Sequence, residues 1–245
     1  MRMLKNTEEL LLWIVDFFAE HFGISAVIKG GISLRLMHSP RFTNDVDYVF
    51  VPFASKKDVK SRIESVLCNV ENLEFQISLN SKALRVRIDY GGQSAQVEIS
   101  TEKECPSVPM STSLLSAPYG FPTRIVRIME PSVSFAHKLA AWNERELMRD
   151  LFDIYQYHSF FRLSPNRAVL ENRLKTARSY RGVFAAKSVE KFVGKLRNRA
   201  DSLSDANIEE LRPLLDEDNL AGLLFRLRPA MLSLCEELEN WLPKE

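Results

Sequence analysis

At 245 residues, with 45% hydrophobic and 27% charged side chains, the chain is long enough for one large domain or two small ones, and its composition excludes a disordered protein. A formal net charge of +1 means that any binding of a polyanion must rest on a local cluster, not on the molecule as a whole. Cys68, Cys105 and Cys235 show no CxxC spacing, which argues against a zinc site or a disulfide framework and fits a cytoplasmic, reducing setting. No signal-peptide pattern opens the chain and no apolar run approaches a membrane span, so no membrane partner is expected.

Helical spacing of Leu10, Leu11, Ile14, Phe17 and Phe18 predicts an amphipathic helix over 7–22, with Thr7 as its N-cap and Gly23 as its stop. A strand over 24–28 follows and runs into Gly30-Gly31, after which Leu34 and Leu36 belong to a short helical segment. Beyond a polar loop, Asp45-Val46-Asp47-Tyr48-Val49-Phe50-Val51 reads as a strand. Residues two apart in a strand share a face, so Asp45 and Asp47 point the same way. Neighbouring carboxylates repel, and the usual compensation is a divalent cation such as Mg²⁺ or Mn²⁺, which takes hard oxygen ligands together with substrate phosphates. Glycines let a backbone approach a ligand closely, and free N–H groups where a helix begins attract phosphate. Gly30, Gly31 and the Ser33 hydroxyl are therefore candidates for a phosphate cradle, although Ser33 is equally compatible with a simple helix start. A Gly-Gly alone is also compatible with a plain turn, and an Asp-x-Asp alone with a solvated strand end.

A helix over 55–68 and strands over 73–79, 84–90 and 95–99 come next, with turns at Asn80-Ser81 and Gly91-Gly92. In the middle strand, Leu84, Val86 and Ile88 alternate with Arg85, Arg87 and Asp89. Such a meander makes the sheet mixed. Residues 101–122, with four prolines, read as a long irregular connection containing one short helical turn. A strand over 124–128 precedes a helix opened by Pro131. After Tyr157 the pattern is helical throughout. Residues 160–200 hold eleven Lys and Arg against two Glu, with Tyr180, Phe184 and Phe192 interleaved, which is a candidate nucleic-acid surface. Residues 201–218 turn acidic, which is compatible with folding against that basic stretch, while a last helix over 220–241 presents a bundle-core stripe. The expected architecture is α/β (α+β): a mixed-sheet domain over 1–128 and a C-terminal helical bundle over 129–245.

Gly-Gly, a short helix and Asp-x-Asp on a strand, in that order, resemble the nucleotidyltransferase superfamily with its polymerase-β-like fold. KGGISLRL…RFTNDVDY resembles more narrowly the AbiEii/AbiGii toxin branch, whose members typically read KGGT-x-L…RFS-x-D-x-D; Ile32 departs from that pattern, while Arg41 matches its Arg. The resemblance implies a third metal carboxylate on a neighbouring strand. Glu98, in VEIS, is the preferred candidate and Asp89 the rival. KLAAWNER…RDLFDIY resembles the later motif of the family and singles out Lys138, Arg149, Asp150 and Asp153. By that resemblance Lys138 would bind the β- and γ-phosphates of a nucleoside triphosphate, and Asp150 would orient or deprotonate an attacking hydroxyl, with Asp153 equally compatible with a structural role. A surface helix with internal ion pairs is the alternative for this stretch. The implied activity is metal-dependent transfer of NMP from an NTP, GTP or another, to an RNA acceptor such as tRNA, by the toxin of a toxin–antitoxin or abortive-infection pair with a cognate antitoxin. A small-molecule or protein acceptor, or a non-catalytic nucleotide-binding module, are the rivals.

Overall fold

The computed structural model describes residues 3–80 and 83–243. The chain divides into two compact units, Met1–Glu130 and Pro131–Glu245. Among the described residues no helix is long and apolar enough to cross a membrane.

The first unit opens with helix α1 (Thr7–Phe22), capped by Asn6, whose side chain accepts the Glu9 N–H at 2.9 Å. The cap is therefore one residue earlier than Thr7, because the Asn amide oxygen reaches the free N–H from there. Next come β1 (Ala26–Lys29), α2 (Gly30–Leu36), β2 (Asp45–Phe50), α3 (Lys56–Leu67), β3 (Glu74–Leu79), β4 (Leu84–Tyr90) and β5 (Gln93–Thr101). The unit closes with β6 (Ser107–Ser111), a helical turn α4 (Ser113–Ser116) and β7 (Ile125–Met129). The strands form one seven-stranded sheet in the order β3-β4-β5-β2-β1-β7-β6. It is mixed: β2 runs parallel to β5 and β1 parallel to β7, and the remaining neighbours are antiparallel. Strand β6 corrects the expectation of an irregular connection. It lies at the sheet edge against β7, where Pro109 is tolerated because one side of an edge strand needs no ladder hydrogen bonds. The expected turn at Asn80-Ser81 extends outside the described residues.

One face of this sheet is the core. Val46, Tyr48 and Phe50 of β2, Val97 and Ile99 of β5, and Leu84, Val86 and Ile88 of β4 are all buried with α1. Phe18 of α1 stacks on Tyr48 with ring centroids 5.0 Å apart and meets Phe50 edge-on. The intervening residues, Asp45, Asp47, Glu98, Arg85 and Arg87, consequently lie on the other face. Apolar packing on one side thus fixes which side chains the site receives.

The second unit is helical: α5 (Pro131–Arg145), α6 (Met148–Tyr155) continuing into a π turn at Gln156–Phe160, α7 (Arg167–Thr176), α8 (Val189–Ser202), α9 (Asp205–Glu209), α10 (Glu217–Leu220) and α11 (Leu223–Glu239). Its core includes Phe135, Trp142, Phe152, Tyr157, Phe192, Leu196, Leu227, Met231, Leu234 and Leu238. Helix is not continuous after Tyr157, because 177–188 is an irregular connection. The Asn143 side chain holds it by bonding both the N–H and the C=O of Ala186 at 2.9 Å, supplying backbone partners that a helix would otherwise provide. Phe192, expected among exposed aromatics, is core, while Tyr180 and Phe184 are exposed. Within the acidic stretch, Arg212 pairs with Glu209 and Glu217 of the same segment.

His158, in the π turn, has Nδ1 3.5 Å from Glu237 Oε2. Burial pushes its imidazole below the ordinary 6.5, and Glu237 offsets part of that shift. Neutral His158 therefore contributes stability that is fully present above 6.5, the unfolded value, and is lost as pH falls through the lower folded pKa. Urea unfolding at about pH 7.5 and about pH 5.5 is expected to show a larger drop in midpoint for the wild type than for His158→Gln, and equal drops would contradict this.

Candidate active site

The site begins where β1 ends. Gly30 has φ +72°, a conformation that L side chains rarely adopt, and a Cβ there would overlap Asp47 Oδ2. A Cβ on Gly31 would come within 2.5 Å of Thr43 Oγ1 and 3.1 Å of Arg41 Nη2. The two glycines therefore let the 41–47 segment close against the start of α2. Gly30→Ala is expected to cost about 1–3 kcal/mol in backbone strain and to push the Asp47 carboxylate aside. The midpoint of thermal unfolding should fall, whereas a variant as stable as the wild type would remove this role of Gly30.

Ser33 is buried, and its hydroxyl donates to the Gly30 carbonyl at 2.8 Å. The structure thus places this predicted phosphate ligand inside the turn, where it holds the turn's shape. Thr43, at the Ser position of the RFS pattern, was not singled out by sequence reasoning. Its hydroxyl donates to Asp45 Oδ1 at 2.7 Å and so orients one of the paired carboxylates. A hydroxyl residue two positions before an Asp is the signal that was available.

Register assembles the rest. Asp47 lies opposite Lys29 on β1 and opposite Glu98 on β5, and Glu98 lies opposite Arg85 on β4. Across four adjacent strands the row reads Lys29, Asp47, Glu98, Arg85. Asp45 sits two residues from Asp47 on the same face, opposite Gln96. Lys29 Nζ donates to Ser100 Oγ at 3.3 Å, and Arg85 Nε donates to Glu98 Oε2 at 2.9 Å. Asp89 is on β4, which β5 separates from β2, and it faces Ser94. A hydrogen bond from Ser94, reinforced by Arg87 at 3.1 Å, holds its carboxyl below the ordinary value of 3.8. Of the two candidates, Glu98 is therefore the one in register beside Asp47.

As donors for a divalent cation, Asp45, Asp47 and Glu98 are chemically apt, being hard oxygens on one face of adjacent strands. Among the described residues, however, no three His, Cys, Asp or Glu side chains converge into a metal-holding cluster. Glu98 is drawn toward Arg85 instead.

The predicted residues of the second unit form their own cluster. Lys138 Nζ on α5 is 2.8 Å from Asp153 Oδ2 and 3.4 Å from Asp150 Oδ1 on α6. Arg145 grips Asp150 with two bonds, Nε to Oδ2 at 2.5 Å and Nη2 to Oδ1 at 2.8 Å. Asp150 and Asp153 are 1% and 0% exposed. Burial alone would raise the pKa of Asp150, but the Lys138 charge and the Arg145 bonds outweigh it and hold the carboxyl below 3.8. Both of its oxygens are engaged, an arrangement suited to fixing Lys138 and not to accepting a proton. Arg149 points outward and is exposed.

The basic stretch divides in two. Lys187 bonds the Ala177 carbonyl, Lys195 bonds Glu146 and two backbone carbonyls, and Arg197 bonds Glu239. Arg162, Lys175, Arg178, Arg181 and Lys191 remain exposed.

A mixed sheet that carries two same-face aspartates beside a Gly-Gly turn and the head of a short helix resembles the core of the nucleotidyltransferase class. Residues 14–237 match the family model "Nucleotidyl transferase AbiEii toxin, Type IV TA system". The chain belongs to this family, the nucleotidyltransferase toxins of type IV toxin–antitoxin systems. Its fold is similar to that of MenT4, a nucleotidyltransferase toxin from Mycobacterium tuberculosis H37Rv, with 18% identity, 96% of this chain and 86% of that chain covered, and a TM-score of 0.59. It is also similar to an H. pylori protein assigned as a nucleotidyltransferase, with 18% identity, 97% of each chain covered and a TM-score of 0.50. No curated protein matches at a significant level.

Proposed function

We propose that this chain transfers NMP from a nucleoside triphosphate, GTP among the candidates, to an RNA acceptor with tRNA as the first choice, and that Asp45, Asp47 and Glu98 hold the Mg²⁺ or Mn²⁺ required. The observation that carries the reading is the row placing Asp47 between Lys29 and Glu98, with Asp45 on the same face. When bound, the divalent ion supplies neutralisation of phosphate charge and activation of the acceptor hydroxyl. The protein supplies position. Gly30 and Gly31 keep the turn narrow beside Asp47, Ser33 braces that turn, and Thr43 orients Asp45. Lys138 is assigned to the β- and γ-phosphates, with Asp150 and Asp153 fixing its ammonium group.

An RNA acceptor is supported by the exposed Arg162, Lys175, Arg178, Arg181 and Lys191, accompanied by exposed Tyr180 and Phe184. A protein or small-molecule acceptor is the second reading, favoured by the internal use of Lys187, Lys195 and Arg197. The proposed setting is the cytoplasm, where Cys68, Cys105 and Cys235 stay free, with a cognate antitoxin as partner. The test offers each α-³²P nucleoside triphosphate, with Mg²⁺, to total bacterial RNA, cell protein and a small-molecule extract. A labelled band at tRNA size is expected. Label confined to protein or to small molecules would replace the RNA acceptor.

A further inference from the structure

We infer that Arg85 is a positioning residue that competes with the divalent cation for Glu98. The inference rests on the proposed metal role of Asp45, Asp47 and Glu98.

Parallel pairing of β2 with β5 sets Asp47 and Glu98 side by side. Adjacent carboxylates on one sheet face repel each other. A cation at each end of the row meets this: Lys29 is opposite Asp47, and Arg85 is opposite Glu98. The Arg85 guanidinium takes Glu98 Oε2 at 2.9 Å and draws that carboxylate outward along the row, away from Asp47. A metal that uses all three must take Glu98 from Arg85. The two side chains are 49% and 36% exposed, so water screens their attraction and the bond yields readily. Arg85 thereby parks the third ligand when no divalent ion is present and makes completion of the site depend on the metal.

Arg87 provides an internal control. It lies on the same strand and the same face, carries the same charge, and is paired with Asp89 in place of Glu98. Removing either arginine removes one positive charge near the site, but only Arg85 releases Glu98.

The comparison with Arg87 is diagnostic. An arginine that only lent positive charge near the site would tighten metal binding when removed no more than Arg87 does, whereas a competitor for Glu98 tightens it beyond that control. The dissociation constant of Mn²⁺ alone, measured by electron paramagnetic resonance of the free ion with no nucleotide present, is the readout. Arg85→Gln is expected to bind Mn²⁺ about two- to fivefold tighter than wild type, the range a screened surface pair allows. Arg87→Gln should stay near wild type. In a Glu98→Gln background, Arg85→Gln should have no effect, which isolates the pair from general charge removal. Unchanged or weaker binding by Arg85→Gln, beside a wild type whose affinity depends on Asp47, would overturn the role of Arg85 and leave the metal site standing. Wild-type binding that is absent, or indifferent to Asp47→Asn, would overturn the metal site itself and the role of Arg85 with it.

Discussion

Replacing Asp47 by Asn is expected to lower nucleotide transfer about a thousandfold while the protein stays folded. Asn has nearly the same shape, so the contact with Gly30 survives. The substitution removes one negative charge from the centre of the Lys29, Asp47, Glu98, Arg85 row. Interactions of a metal with developing phosphate charge contribute several kcal/mol, and about 4 kcal/mol corresponds to roughly a thousandfold in rate. Stability should hold or rise slightly, because one of two repelling carboxylates has been neutralised. Single-turnover rates with matched thermal unfolding curves check both parts. A folded Asp47→Asn protein with more than about a tenth of wild-type activity would remove Asp47 from the chemistry.

Lys138→Ala carries the second large expectation, and here stability falls along with activity. Lys138 Nζ is 2.8 Å from Asp153 and 3.4 Å from Asp150, both carboxylates being almost wholly buried. Breaking a buried ion pair by removing one partner typically costs about 3–5 kcal/mol, because the remaining charge stays desolvated. Arg145 still holds Asp150, so the damage should centre on Asp153. Urea unfolding of Lys138→Ala should show this loss, and the double variant Lys138→Met/Asp153→Asn should recover much of it by removing charge from both sides. Transfer should remain low in the double variant, which separates the structural duty of Lys138 from its proposed duty at the phosphates. A fully stable Lys138→Ala protein would show that the cluster does not brace α5 against α6.

Much of this architecture is legible in local pattern. The bounds of α1 follow from apolar residues at helical spacing, and β4 coincides with the alternation of Leu84, Arg85, Val86, Arg87 and Ile88. The shared face of Asp45 and Asp47 needs nothing beyond the two-residue period of a strand. Cross-strand register is a different kind of information. Nothing local in VEIS reveals that Glu98 faces Asp47 on one side and Arg85 on the other, since that depends on which strands become neighbours. The space at Gly31 is likewise a long-range fact: it is filled by Thr43 and Arg41, side chains that arrive only when the loop folds back. Strand β6 escapes periodicity because serines and Pro109 weaken its signal, and an edge position tolerates them. Charge counting also misleads over 160–200. The count is correct, but long side chains such as Lys195 and Arg197 pair with carboxylates and carbonyls of the same unit.

The most direct test compares the α- and γ-phosphates of one nucleoside triphosphate. Wild-type protein, Mg²⁺ and total bacterial RNA are incubated with either α-³²P or γ-³²P label, and Asp47→Asn runs alongside. Transfer of NMP predicts label on RNA from the α position alone, lost in Asp47→Asn and lost on chelation of the metal. Label passing from the γ position, or α label undiminished in Asp47→Asn, would contradict metal-dependent nucleotidyl transfer at the Asp45 and Asp47 face.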